Sequence, residues 1–202
     1  MEMGDKIPIK KINITRLAGV CGILIPVVIF LCISLAMTDA PWFEWTQHAL
    51  SDLGIGGISA FFFNNGLIIG GILVLIFSIG LAKSFTKKTG AYILAISAIG
   101  LIGAGLFPKT IFELHFISSA TFFVFLTLAL FVIGLTLIND KLDHKMAIIA
   151  IVFAMFACTS PVLLGFLRGV AIPEAIVAFP AFIWCMIYGY KMMNFKQPRN
   201  LL

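Results

Sequence analysis

Charged residues are scarce in this sequence. Asp, Glu, Lys and Arg together make up 11% of its 202 residues, whereas hydrophobic residues make up 61%. The mean hydropathy is +1.10, and soluble domains contain about 25% charged residues. The shortage of charge therefore excludes an ordinary soluble domain and a disordered chain, and it predicts a chain solvated by lipid. The net charge of +5 does not indicate a nucleic-acid partner, because the basic residues form no compact cluster.

Paired cysteines and histidine motifs are also absent. The four cysteines form no CxxC pair, and the three histidines form neither an HExxH nor an HxxxH motif. No serine lies in a GxSxG motif. The spacing therefore indicates no disulfide framework, zinc motif or serine-nucleophile motif. We expect the cysteines, which all fall in apolar stretches, to behave as small hydrophobic residues.

Long stretches without charge dominate the chain. Five stretches of 20 to 30 residues contain no Asp, Glu, Lys or Arg, and a sixth contains 16. A helix needs roughly 20 apolar residues to cross a membrane, and lipid satisfies no backbone polar group outside a helix or a closed barrel. We therefore predict an all-α, polytopic integral membrane protein with a bundle of six transmembrane helices. Their predicted positions are about 17–37, 60–82, 90–106, 114–138, 146–166 and 172–190.

The basic residues are sorted between the connections. Twelve of the fourteen lie in the two terminal segments and in alternate connections, whereas Lys109 and Arg168 lie in the others. Basic residues concentrate in cytoplasmic loops, so we expect a multi-pass protein of the cell membrane with both termini in the cytoplasm. The expected organisation is a cytoplasmic segment 1–16, a transmembrane domain 17–190 and a cytoplasmic tail 191–202.

Small residues and prolines predict how the helices pack. Gly66 and Gly70 form a GxxxG motif in the second span, and further glycines cluster at 100–105 in the third. Such residues let helix backbones approach closely, and we expect contacts within the chain. Prolines also fall inside the first, fifth and sixth spans, where kinks are expected.

The first outer connection contains a short polar segment. Pro41 suits the first turn of a helix and Gly54 suits its end, so we predict a short outer amphipathic helix at about 41–53. At about 100° per residue, its polar side chains share one face. Two interpretations stay open: a helix in the headgroup layer, or a helix folded over the bundle with its polar face in a cavity. The polar face contains Glu44, Gln47, His48, Ser51 and Asp52.

A second polar cluster begins the fourth span. Thr110 and Glu113 match a capping box. His115 is followed on its own helix face by Ser118 and Ser119. A histidine at the edge of a membrane helix indicates either a binding site or a structural hydrogen bond.

A third cluster follows the fifth span. Arg168 is interpreted as an ion-pair partner of Asp52 or Glu44, or as a ligand for a phosphate group. Glu174 follows Pro173, where a carboxylate stabilises a helix N-terminus.

Together these residues predict an outward-facing polar pocket near the outer leaflet. His48, Ser51, Asp52 and His115 are the candidates for catalysis. His48, Asp52 and His115 also form a conceivable metal set, although no motif favours a metal; the cofactor is left unassigned and no haem is expected. The predicted ligand-binding residues are Glu44, His48, Ser51, Asp52, Asn65, His115, Ser119 and Arg168.

Several of these residues also lie in a recognisable pattern. His48-Ala49-Leu50-Ser51-Asp52-Leu53-Gly54 precedes Asn64-Asn65-Gly66-Leu67 and Gly70-Gly71, and Gly103-Ala104-Gly105-Leu106-Phe107-Pro108 precedes His115 and Ser118-Ser119. This pattern resembles the prokaryotic six-helix membrane family known as domain of unknown function 998, over residues 15–190. The resemblance implies a six-span bundle. The sequence also has a fainter resemblance to membrane hydrolases of the alkaline ceramidase type. It departs from them because it lacks their HxxxH pair and has six predicted spans instead of seven.

The leading functional hypothesis is a pocket that binds a membrane lipid or a small amphiphile, with or without modifying it. Two alternatives stay open: a small-solute or proton-coupled transporter, and a structural membrane protein whose polar residues pair with one another. These hypotheses differ in the position of the polar groups, which the sequence alone does not determine.

Overall fold

Seven α-helices and one 3₁₀ helix form the regular structure of the computed structural model, which describes residues 13–194. The 3₁₀ helix, Leu50–Gly54, lies between α1 and α2. No strand occurs in this part of the chain, so the all-α prediction is confirmed. The α-helices are α1 Ile14–Thr38, α2 Gly57–Ser84, α3 Thr89–Leu106, α4 Phe112–Leu137, α5 His144–Ala157, α6 Ser160–Leu163 and α7 Ala171–Asn194.

Six helical segments within residues 13–194 are long and apolar enough to cross a membrane. The shortest, α3, has 18 residues, or about 27 Å at 1.5 Å per residue, which approaches the thickness of a hydrocarbon core. The fifth segment, His144–Leu163, consists of α5 and α6 and the turn between them. The predicted multi-pass bundle of six spans is therefore confirmed.

The helices form a closed ring. Each of the first five spans packs against its neighbour in the sequence, and α7 packs against both α5 and α1. Helix α7 also contacts α4 across the middle of the bundle. Large side chains such as Phe77, Phe182 and Trp184 fill the interior and are completely buried. The first and last helices thus complete a single core.

The bundle has two chemically different ends. One end contains the connections 39–56, 107–111 and 164–170. We call it the site end, because the cavity described below lies there. The other end, which we call the terminal end, contains the connections 85–88 and 138–143, the start of α1 and the end of α7. Lys109 and Arg168 lie at the site end, and the other described basic residues lie at the terminal end. Lys6, Lys10, Lys11, Lys196 and Arg199 lie outside the described residues.

Glycines produce the closest helix contacts. A Cβ atom at Gly66 would lie 2.4 Å from the Cβ of Cys32, and one at Gly70 would lie 2.5 Å from Ile29. A Cβ at Gly100 would lie 2.6 Å from the backbone nitrogen of Phe122. These glycines therefore allow α2 to pack on α1 and α3 to pack on α4 within one chain.

The three prolines at which kinks are expected divide into two groups. Pro26 and Pro180 lie inside α1 and α7. Pro161 occupies the first turn of α6, immediately after the turn at Cys158 and Thr159 that separates α5 from α6. Proline suits the first turn of a helix, where its missing N–H would have no partner, so Pro161 accompanies an interruption of the fifth span.

The prediction of a continuous outer helix at 41–53 is wrong. Residues 41–48 contain turns, Ala49 is extended, and only Leu50–Gly54 is helical, as a 3₁₀ helix. The carbonyl groups that a helix would use are committed to tertiary contacts, since Thr46 O accepts the Gly169 N–H at 2.9 Å and His48 O accepts the Ala171 N–H at 3.0 Å. The connection is therefore shaped by its pairing with residues 169–171.

The predicted capping box at Thr110 and Glu113 is also wrong. Helix α4 begins at Phe112, and Ile111 is its N-cap residue, with no side-chain cap. Ile111 donates its N–H to Pro108 O at 2.8 Å, so the preceding turn places Thr110 one residue before the position that a cap requires. Glu113 is exposed.

Candidate functional site

A small cavity lies inside the bundle directly below the 3₁₀ helix. Its volume is about 50 Å³, and its wall comes from the 3₁₀ helix and from α1, α2, α3, α4 and α7. We call it the central cavity. Five phenylalanines belong to the wall, and four of the lining residues are polar: Ser51, His115, Ser119 and Glu174.

His115 is held from both ring nitrogens. Its side chain is buried, with 8% of the residue exposed. Nδ1 lies 2.8 Å from Phe107 O and Nε2 lies 3.3 Å from Ser119 Oγ. Because a carbonyl oxygen only accepts, Nδ1 carries the proton and donates it, which leaves Nε2 of the neutral ring as an acceptor. The bonds fix the ring orientation and aim an acceptor at the Ser119 hydroxyl.

Glu174 connects α7 to the 3₁₀ helix, which covers the central cavity. We call the 3₁₀ helix and the residues that hold it the roof of this cavity. Oε2 of Glu174 accepts the N–H of Leu50 at 2.6 Å, and Leu50 is the first residue of the 3₁₀ helix. Glu174 lies in the first turn of α7, where the sequence placed a carboxylate at a helix N-terminus, and the same carboxylate also caps the 3₁₀ helix. Within residues 13–194, no hydrogen bond to the other oxygen, Oε1, is found.

Asp52 fixes the 3₁₀ helix from the other side. Its Oδ2 accepts the Ala49 N–H at 2.8 Å, and its Oδ1 pairs with Lys109 Nζ at 2.5 Å. The predicted ion pair between Arg168 and either Asp52 or Glu44 is wrong, because Lys109 occupies the Asp52 carboxylate and Arg168 forms no ion pair within residues 13–194. The position of Lys109 just before α4 brings its long side chain to the roof.

A close backbone contact supports the same roof. A Cβ atom at Gly169 would lie 2.3 Å from His48 N and 2.4 Å from His48 O. The adjacent hydrogen bonds from Gly169 to Thr46 and from Ala171 to His48 depend on this approach. Glycine is required at position 169 because any larger residue would collide with backbone atoms.

The structure brings together three of the eight predicted ligand-binding residues. Ser51, His115 and Ser119 line the central cavity, and Asp52 lies beside it in the roof. The remaining predicted residues are placed elsewhere. Glu44, Asn65 and Arg168 are exposed, and the His48 ring packs against Trp42 and Phe43, at centroid distances of 5.2 and 6.0 Å.

The catalytic candidates separate in the same way. Ser51 and His115 reach the central cavity, whereas Nδ1 of His48 accepts the Glu44 N–H at 3.0 Å and stabilises its own turn. Within residues 13–194, no three His, Cys, Asp or Glu side chains lie close enough together to hold a metal ion. His48, Asp52 and His115 therefore do not form one ligand set.

Glu174 and Asn64 are the residues whose positions the sequence interpretation missed. Glu174 precedes the buried residues Ala178 and Phe182 by four and eight positions, so it shares their helix face. That spacing in the sequence indicates that Glu174 faces the interior of the bundle. Asn64 donates from Nδ2 to Gly54 O at 3.0 Å, whereas the neighbouring Asn65 donates to Phe61 O of its own helix.

The two asparagines provide a matched test of this placement. We expect Asn64→Ala to reduce the free energy of unfolding by about 1 kcal/mol, because it leaves the carbonyl oxygen of Gly54, at the buried end of the 3₁₀ helix, without its hydrogen-bond donor. Asn65→Ala removes only an exposed bond within α2, and a change below about 0.5 kcal/mol is expected. Thermal unfolding of the purified variants in detergent measures the difference. Equal midpoints would contradict the assignment of Asn64 to the roof.

Comparison with known proteins identifies one family. A family model described as a protein of unknown function, DUF998, matches residues 23–191. This match includes every residue that lines the central cavity. No curated protein and no solved structure matches the chain.

Proposed function

Because the chain belongs to the DUF998 family, whose description assigns no activity, we propose its function from the central cavity: it binds one polar group of a lipid or of a similar small amphiphile. The observation that carries the proposal is the convergence of Ser51, His115, Ser119 and Glu174 on an otherwise apolar cavity. Polar and ionisable groups inside a membrane bundle are costly and mark functional sites. The four polar residues of the central cavity come from three separate segments of the chain: the 3₁₀ helix, α4 and α7.

The volume of the cavity supports a small polar group as the buried part of the ligand. About 50 Å³ is far below the 300–1,000 Å³ of sites that enclose a whole drug-sized molecule. It accommodates a hydroxyl or an ester group, for which Glu174 Oε1 and the two serine hydroxyls offer hydrogen bonds. The apolar remainder of the ligand then stays against the phenylalanines or in the bilayer.

The route into the cavity also favours a membrane ligand. Phe123 of α4 and Phe179 of α7 line the cavity and are only partly buried. Helix α5 contributes no residue to the wall, and the fifth span is interrupted by the turn at Cys158 and Thr159. We propose that an amphiphile enters from the bilayer between α4 and α7.

Packing below the cavity favours binding over the transport alternative. Phe122 and Phe182 stack at a centroid distance of 6.1 Å, and both line the cavity. Phe77, Leu126 and Trp184 are completely or almost completely buried in the bundle. A transport route between the two ends would have to separate these packed side chains.

We further propose that the site end faces away from the cytoplasm. Arg16, Lys83, Lys87, Lys88 and Lys191 lie at the terminal end, and cytoplasmic connections carry the excess of basic residues. In this orientation the central cavity lies near the outer leaflet and takes its ligand from there.

Native mass spectrometry of the purified protein with identification of the retained lipids tests the proposal. We expect the wild type to retain an amphiphile that His115→Ala binds about fivefold more weakly, because the Ser119 hydroxyl loses the partner that orients it and its hydrogen bond to the ligand, worth about 1 kcal/mol, is lost. His144→Ala is the matched control, because His144 is exposed at the terminal end. Equal retention by the two histidine variants would contradict the proposal.

Adjacent serines on α4 provide a second comparison that disturbs the fold less. Ser119 lines the cavity, whereas a Cβ atom at Gly103 would lie 2.6 Å from Ser118 Oγ, which places Ser118 against α3. We expect Ser119→Ala to weaken retention and Ser118→Ala to leave it unchanged. Loss of the ligand from Ser118→Ala alone would assign retention to helix packing and would overturn the proposed site.

A further inference from the structure

A second, larger cavity lies at the terminal end of the bundle. Its volume is about 1010 Å³, and its wall comes from α1, α2, α4 and α7 and from the connections 85–88 and 138–143. We call it the terminal cavity. Four basic residues belong to its wall, together with two aspartates: Arg16, Lys83, Lys87, Lys191, Asp140 and Asp143.

One basic residue is neutralised inside the protein. Lys191 Nζ forms an ion pair with Asp143 Oδ1 and donates to Leu142 O at 2.6 Å. Asp143 Oδ2 also accepts the Tyr188 hydroxyl at 3.3 Å. Lys191 and Asp143 therefore belong to the structural connection between α7 and the start of α5, and they leave no net charge for a ligand.

The remaining charges of the terminal cavity are mainly positive. Arg16, Lys83 and Lys87 are exposed and form no ion pair with another described residue. Among the described residues that line the cavity, Asp140 is the one other acid, and its Oδ1 accepts the Leu142 N–H at 2.9 Å. Within residues 13–194, three cations against one carboxylate leave an excess of two positive charges around this cavity.

Both the charge and the apolar wall fit a phosphate-bearing amphiphile. Ammonium and guanidinium groups converging from α1, α2 and the following connection bind phosphate oxygens. Phe85, Leu137 and Met192 supply apolar surface next to these cations. The cavity lies at the ends of the spans, which is the depth of lipid headgroups.

We propose that the terminal cavity is an anion site that binds a phosphate group through Arg16, Lys83 and Lys87. An anionic phospholipid headgroup is the source that its position favours, and a soluble phosphate shares the same chemistry. This site is separate from the central cavity, and it does not depend on the function proposed for that cavity.

The test compares lipid retention from a defined mixture. The full-length protein is exchanged into equal amounts of phosphatidylglycerol and phosphatidylcholine, and the retained lipids are counted by native mass spectrometry. We expect the wild type to prefer phosphatidylglycerol, because phosphatidylcholine carries a compensating cation. The double variant Lys83→Gln/Lys87→Gln is expected to lower that preference roughly 30-fold, since each lysine near an anionic headgroup contributes an electrostatic attraction of about fivefold in affinity.

Matched variants separate a site from general surface charge. Lys88→Gln/Lys145→Gln removes the same charge from the same end, but neither residue lines the terminal cavity. We expect this control to keep the preference of the wild type. An equal loss in both double variants, or no preference in the wild type, would overturn a lipid site.

A second experiment identifies the source of the phosphate. Inorganic phosphate is added to the detergent-solubilised protein without phosphatidylglycerol, and its binding is measured in the wild type and in both double variants. Phosphate binding that requires Lys83 and Lys87 supports the site with a soluble ligand. The proposal fails if neither phosphate nor phosphatidylglycerol binds in a manner that depends on these two residues.

Discussion

Gly189→Val is expected to destabilise the bundle by about 3 kcal/mol, the upper part of the usual range for overpacking a core. A Cβ atom at Gly189 would lie 2.6 Å from Gly19 O, 3.0 Å from Gly22 Cα and 3.1 Å from Ile23 N. All three are backbone atoms of α1, so no side-chain rotation relieves the collision. The two helices would have to separate.

The effect is large because this contact closes the ring. Helix α1 packs against α7, and Gly19 makes the reciprocal approach, since a Cβ atom there would lie 2.7 Å from Gly189 O. Unfolding in detergent, followed by circular dichroism, measures the loss. Gly165→Val is the matched control, since a Cβ there would lie 3.6 Å from its nearest neighbour, Val162 O. Equal destabilisation by both variants would show that the α1–α7 contact is not the cause.

Glu174→Ala is expected to reduce the free energy of unfolding by about 1–3 kcal/mol, because it leaves the Leu50 N–H without its acceptor in a buried position. The 3₁₀ helix would then be held mainly by Asp52 and by Asn64. Glu174→Gln retains an amide oxygen that can accept the same N–H, so a smaller loss is expected.

Hydrogen exchange distinguishes this local effect from general destabilisation. We expect Glu174→Ala to increase amide exchange in Leu50–Gly54 more than in the interior of α2, since the roof opens before the bundle unfolds. Glu113→Ala is the control, because Glu113 is an exposed carboxylate at the same end. The interpretation is wrong if Glu174→Gln and Glu174→Ala accelerate exchange equally, or if Glu113→Ala has the same effect as Glu174→Ala.

The spans were predictable because they depend on composition alone. Each apolar stretch is long enough to cross a bilayer and must form a helix there. The predicted span 90–106 differs from α3 by one residue at its beginning. The fifth span was predicted as continuous, but α5 ends at Ala157, and the turn before Pro161 separates it from α6.

The outer connection was less predictable because its polar groups have tertiary partners. Glu44 and His48 share a face in a helical projection, and Asp52 belongs to the same face. In the fold, Asp52 binds Lys109, His48 binds within its own turn, and Glu44 is exposed. Helical periodicity applies to a segment whose backbone hydrogen bonds are made within the segment. The groups of this connection instead form hydrogen bonds and an ion pair with residues distant in the chain.

The choice between neighbouring residues likewise depended on tertiary contacts. Asn64 and Asn65 are equivalent in composition, but the rotation of α2 against the 3₁₀ helix places Asn64 on Gly54 O. The same reason explains Glu174, because its place in the first turn of α7 follows from the sequence but its bond to the Leu50 N–H depends on tertiary packing.

The sequence by itself determined that this is an all-helical, six-span membrane protein with its basic residues concentrated at one end, because apolar length and charge distribution are properties of each segment alone. Only the tertiary structure decided which polar residues meet. Ser51, His115, Ser119 and Glu174 converge because the first and last helices close a ring and the 3₁₀ helix is tied across it. Contacts between residues distant in the chain depend on how the helices pack, and a local sequence pattern does not specify that packing.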